Sequence, residues 1–167
     1  MKATTVVFLV VLAANAQTTQ KSASHRAAPA PQRMSHDFRT AGRRAVTAIG
    51  DLGRVCASGT PACGVSEQLE FEGKASKAIE EADAQHDNPV DKQAVELLKE
   101  YNRATFDAAL DQAQAALSIQ RSAWCNAGAC DAMYATCKKE AEDAFESGVL
   151  PAKSECKSLS PRDPNKD

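Results

Sequence analysis

The chain has 167 residues, with 20 Lys and Arg against 22 Asp and Glu and a formal charge of −2. That length fits one domain, and so even a balance excludes the basic footprint of a nucleic-acid or membrane-surface binder. Abundant alanine favours helices, but with only 5% aromatic residues it makes a thin core, a shortage that disulfides offset in small exported domains.

Residues 1–16 read as a signal peptide. Lys2 precedes an apolar run from Val6 to Leu12, followed by the small-x-small cleavage site Ala14-Asn15-Ala16. The run is far shorter than the roughly 18–20 residues of a spanning helix. No later segment is apolar enough to replace it. The expectation is a protein that is periplasmic or secreted after cleavage near Ala16, with no stable membrane anchor. Residues 17–33 are rich in Ala, Pro, Ser and Thr and read as a disordered leader. A helical domain is expected over 34–150.

A first helix is expected from about Ser35, a good N-cap type with Asp37 in the first turn. Phe38, Ala41, Ala45, Ile49, Leu52 and Cys56 recur at steps of three and four, one stripe of an amphipathic helix. Arg39, Arg43 and Arg44 fall mostly off that stripe and make the helix basic. Gly50 and Gly53 either weaken its last turns or permit close packing. The segment ASGTPA at 57–62 is a turn by composition. A second helix over about 65–85 takes Ser66 as N-cap. Leu69, Phe71, Ala75, Ala78, Ile79 and Ala82 supply its apolar contacts, and its other face carries Glu67, Glu70, Glu72, Glu80, Glu81 and Asp83.

Asn88 followed by Pro89 is a strong start signal for a third helix. Nothing interrupts it until about Trp124, roughly 50 Å of helix at 1.5 Å per residue. Two stripes run along it: Ala94, Leu97, Tyr101, Ala104, Ala108 and Ala115, then Phe106, Leu110, Ala113, Leu117 and Trp124. Two stripes predict a central helix with neighbours on two sides. After the turn Asn126-Ala127-Gly128, a fourth helix begins at Asp131 and uses Met133, Cys137, Ala141, Ala144 and Phe145. Gly148 stands where a helix-ending glycine belongs, and Pro151 prevents continuation. Residues 151–167 form a polar tail that carries Cys156. Lys77–Ala82 and Lys139–Ala144 are alike enough to raise a duplicated helical hairpin as one origin of the chain.

Six cysteines allow 15 connectivities. Cys130 and Cys137 lie on one helix roughly 10 Å apart, too far for a disulfide. The expected pairs are Cys56–Cys63, Cys125–Cys130 and Cys137–Cys156: two stitches at hairpin turns and one pin on the tail. No Cys-x-x-Cys occurs, and His25, His36 and His86 lack ligand spacing. No metal or cofactor is therefore expected. The carboxylates sit on helix faces, and no Gly-x-Ser-x-Gly elbow or phosphate-cradling glycine loop is present. No catalytic residue is named, and catalysis is not the leading role. The fold class expected is all-α: a disulfide-stapled bundle of about four helices in two antiparallel hairpins, the third helix long. The leading function is a non-catalytic exported protein with a protein partner or a structural role in the envelope. Candidate contact residues are Arg39, Arg43, Arg44 and Trp124.

Tyr101, Leu117, Gln120, Trp124, Cys125, Cys130, Tyr134 and Cys137 carry a resemblance to the lysozyme-inhibitor-like family of small exported helical proteins. The family has a Gln shortly before a Trp, then Cys, Cys and Tyr on a helical hairpin. Here Gln120 and Trp124 are one residue further apart, the Cys follows Trp directly, and the Arg between them is missing. The resemblance spans about a quarter of the chain. It implies the alternative function, inhibition of an extracellular hydrolase.

Overall fold

The structure is a computed structural model that describes residues 33–57, 64–121, 123, 125 and 128–159, without the side chains of 56, 57 and 65. The expected signal peptide, the expected leader up to residue 32, Trp124 and the expected Cys56–Cys63 pair lie outside the described residues. Five helices follow in order: α1 His36–Ala57, α2 Val65–Asp83, α3 Pro89–Ala116, α4 Ala129–Ser147 and α5 Glu155–Leu159. None of the described helices is long and apolar enough to cross a membrane.

The four long helices run up, down, up, down. Gly42 and Gly53 of α1 face Phe145 and Tyr134 of α4, which makes those two helices antiparallel. Gln68 of α2 reaches Ala109 of α3, and Tyr101 of α3 stacks on Tyr134 of α4. α3 touches every other helix, while α2 and α4 do not meet. The stripe geometry accounts for this. Val90, Ala94, Val95, Leu97, Leu98, Tyr101, Ala104, Ala108 and Ala109 are all buried. A helix apolar over so much of its circumference is stable only when enclosed. α1 supplies its one stripe to the same core, with Phe38, Ala41, Ala45, Ile49 and Leu52 buried.

Helix starts differ from expectation in instructive ways. Asn88 caps α3 as its type predicts, accepting from the backbone N–H groups of Val90 and Asp91. Ser35 precedes α1, but its hydroxyl donates to Asp91 rather than capping its own helix. α2 begins after Gly64, with Ser66 inside the first turn. α4 begins at Ala129, two residues before Asp131, with Gly128 in the left-handed region at φ 71°.

Two larger corrections concern apolar residues. The third helix ends at Ala116, not near Trp124. Ser118 adopts φ 55°, its N–H bonds the Ala115 carbonyl, and the Ile119 N–H bonds the Gln114 carbonyl. That pair of bonds is a Schellman motif, here with Ser rather than Gly in the left-handed position. A scan for glycine and proline cannot see such a stop. Leu69 is 57% exposed and Gln68 is buried instead. The stripe Ala75, Ile79, Ala82, run backwards in steps of three and four, reaches residue 68, so helical register overrides the apolar type of Leu69.

Two predicted disulfides are present, Cys125–Cys130 and Cys137–Cys156. The second pins α5, a turn and a half of helix within what reads as a polar tail. Glu140 of α4 caps that helix, accepting from the Ser154 hydroxyl at 2.7 Å and the Cys156 N–H at 3.1 Å, and from the Glu155 N–H. Ile79 and Ala82 of α2, and the matching Ala141 and Ala144 of α4, are buried alike.

Candidate functional site

The basic strip of α1 is partly absorbed by the fold. Arg39 and Arg43 both donate through Nε to the Phe145 carbonyl, at 2.9 and 3.1 Å. Arg43 also reaches the Glu146 carbonyl at 3.4 Å. The last carbonyls of α4 have no partner inside their own helix, and its C-terminus carries partial negative charge. The two guanidinium groups answer both needs. Arg44 stays exposed, in a shallow depression with His36, Asp37, Thr40 and Glu81 between α1 and α2. Among the expected contact residues, only Arg44 therefore offers an unengaged cation within the described residues.

Polar groups inside the bundle are unevenly served. Asp91 is fully buried and accepts from the Ser35 N–H at 3.0 Å, the Ser35 hydroxyl at 2.8 Å and the Asp87 N–H at 3.1 Å. It ties the entry of α1 to the start of α3. The Tyr101 hydroxyl, by contrast, is buried with no hydrogen bond to a described residue. Burial, then the nearby Tyr134 hydroxyl and Glu142 carboxylate, hold that phenol well above its ordinary range. It therefore stays protonated and serves as packing.

Asn102 of α3 is the polar group that faces a cleft. It is 9% exposed and its Oδ1 meets no donor, an arrangement that costs about 1–3 kcal/mol when left unanswered. The cleft holds about 370 Å³ between α2 and α3. Its floor is Ile79, Phe106 and Asn102. Glu72, Ser76 and Glu80 form one wall, and Lys99 and Arg103 the other.

The walls carry opposite charge yet do not join. Lys99 pairs with Glu96 at 2.9 Å and Arg103 approaches Asp107 at 3.9 Å, both on their own helix. The hydrogen bond from Glu96 is the main reason the Lys99 ammonium lies above its ordinary range. On α2, the Ser76 hydroxyl donates to Glu72 at 2.9 Å. Burial raises the Asp107 carboxyl, against the opposing pull of Arg103.

No family model matches the chain, and neither a curated protein nor a solved structure matches it. The functional reading therefore rests on its own geometry.

A second cleft, of about 400 Å³, lies between α3 and the segment leading into α5. Leu97, Leu150 and Pro151 line it with Glu96, Glu100 and Lys157. At the end of α3, Leu117 and Ile119 are 63% and 55% exposed. Among the described residues, no group of three His, Cys, Asp or Glu side chains could hold a metal ion. Sequence reasoning missed the α2–α3 cleft because Glu72 and Glu80 read as a solvated face and Phe106 as core. The available signal was Asn102, a carboxamide at helical spacing from Leu98 and Phe106.

Proposed function

We propose that the chain is a non-catalytic, exported binding protein that engages a protein partner through the end of the bundle where α3 stops. The observation that carries this reading is the exposure of Leu117 and Ile119 on the connector to α4. Burying a large aliphatic side chain contributes about 1.5–3 kcal/mol, so two of them left in water on a short connector are a ready contact. The Cys125–Cys130 disulfide closes the far end of that connector and reduces what a partner would have to order. Disulfides favour an oxidising compartment, which supports export to the periplasm or beyond.

Photo-crosslinking residues placed at 117 and 119 in exporting cells test the partner. The expected result is one discrete adduct from both positions and none from an exposed control at Lys92. Equal labelling at all three positions would sink the reading. Intact mass of the exported protein tests the rest: loss of residues 1–16 is expected, with six hydrogens gained on reduction. Inhibition of an extracellular hydrolase is the second reading. It is favoured by the Cys125–Cys130 disulfide and by Tyr134 on the hairpin that carries the resemblance. A lysozyme activity assay with purified protein separates it from the first.

A further inference from the structure

The α2–α3 cleft has three features that fit one kind of ligand. Its walls bear unlike charges that turn to their own helices instead of to each other: Lys99 to Glu96 and Arg103 to Asp107. The Glu80 carboxylate has no side-chain partner among the described residues. Ile79 and the ring of Phe106 give the cleft an apolar floor. Between them the Asn102 carboxamide holds an acceptor that no described donor satisfies.

We infer that this cleft binds a small peptide with both termini free, of dipeptide size. A side-chain carboxamide presents one N–H donor edge and one carbonyl acceptor, the complement of a peptide group, and a half-turn about χ2 exchanges the two. As the side chain stands, Oδ1 is sealed from solvent, so Asn102 reads a peptide carbonyl through its amide N–H, and a peptide N–H only after that half-turn. The ligand's ammonium group goes to Glu80 on α2. Its carboxylate goes to Arg103 and Lys99 on α3, where a guanidinium fork matches its two oxygens. An apolar ligand side chain covers Phe106 and Ile79. The two charged walls stand on different helices with Asn102 between them, so the ligand needs its charges on either side of a peptide unit, which a single α-amino acid, with its charges adjacent, does not have. The volume of about 370 Å³ is within the range of small-ligand sites, roughly 300–1,000 Å³. This site is separate from the Leu117–Ile119 surface and does not depend on it.

The test is an NMR titration of the whole oxidised protein with Leu-Ala, N-acetyl-Leu-Ala and Leu-Ala amide. Saturable shifts at Ile79, Asn102 and Phe106 are expected with the free dipeptide at up to about 10 mM, enough to saturate a millimolar site. Each blocking group is expected to weaken binding roughly three- to tenfold, the yield of one partly solvated charge-assisted contact. Arg103→Gln should weaken the free dipeptide by a similar factor and leave the amide unchanged. Glu80→Gln should do the mirror image with the N-acetyl form. Both residues are exposed, so the variants fold. Asn102→Ala, checked by circular dichroism, should abolish binding. No saturable shift, or equal binding of free and blocked forms, would overturn the inference. The second outcome would mean that an internal segment of a longer chain is what the cleft accepts.

Discussion

The two ends of the bundle are built differently. At one end α1 and α3 begin and α4 finishes. There Phe38 meets Phe145 with ring centroids 5.8 Å apart, Asp91 is fully bonded, two arginines close the end of α4, and Cys137–Cys156 pins α5. At the other end α3 finishes and α4 begins. There Leu52 and Ala109 form a small core with Phe71 and Phe106 only half-buried, Asp111 pairs with Arg121 at 3.6 Å through one oxygen while its other, buried oxygen meets no donor, and Leu117 and Ile119 face water. One end is sealed by polar groups that satisfy one another; the other leaves apolar and polar groups open. A domain with this asymmetry keeps its best-sealed contacts apart from its exposed apolar groups.

The largest expected effect tests that asymmetry directly. Phe145→Ala should cost about 3–5 kcal/mol, the usual range for a fully buried ring. Phe106→Ala should cost about half as much because its ring is only partly buried. Urea unfolding followed by circular dichroism measures both. Equal losses would break the comparison.

Removing disulfides sharpens it. In the loop-entropy model, Cys137→Ala with Cys156→Ala should lose about 3 kcal/mol, and Cys125→Ala with Cys130→Ala about 2 kcal/mol. The larger loss should come with fraying of α5, visible as faster amide exchange from Glu155 to Leu159. If the shorter loop proves the more important, the open end is the better sealed of the two.

Ser118→Gly should stabilise the open end by about 0.5–1 kcal/mol. A left-handed backbone strains a serine, and glycine adopts it freely, less the entropy glycine gains on unfolding. A loss of stability would mean that the Schellman turn does not persist in solution.

The smallest effect is electrostatic. Burial raises the Asp107 carboxyl in the folded chain, with Arg103 opposing. A carboxyl whose folded value is raised holds its proton more tightly folded than unfolded, so its charge destabilises the fold at neutral pH. Asp107→Asn should therefore gain less than about 1 kcal/mol at pH 7. The gain should fade as the pH drops through the raised value and vanish by about pH 3, where both side chains are neutral. A gain that persists at low pH would assign the effect to packing.

Much of the fold is legible in residue order because its causes are local. The stripe from Phe38 to Leu52, the Asn88-Pro89 start, the Gly148 stop and the spacing of Cys125 and Cys130 each act within a few turns of helix. The cysteine geometry excludes Cys130–Cys137, and the two expected pairs that fall within the described residues are both formed. By contrast, Gly42 reads as an ordinary helix glycine, yet a Cβ there would overlap the Phe145 ring 103 positions along the chain. Its role depends on which helix lies opposite.

By itself, then, the sequence determined the four long helices, most of their apolar faces, the all-α class and two of the staples, because periodicity and turn chemistry are short-range. Tertiary structure alone decided that Arg39 and Arg43 close α4, that Gln68 displaces Leu69 from the core, and that Asn102 lies at the floor of a cleft with unlike walls. Those outcomes follow from contacts between residues distant in the chain, or from a register that only packing selects. Hydrogen bonding and desolvation at such contacts outweigh the fraction of a kilocalorie by which local preference differs from one residue type to the next.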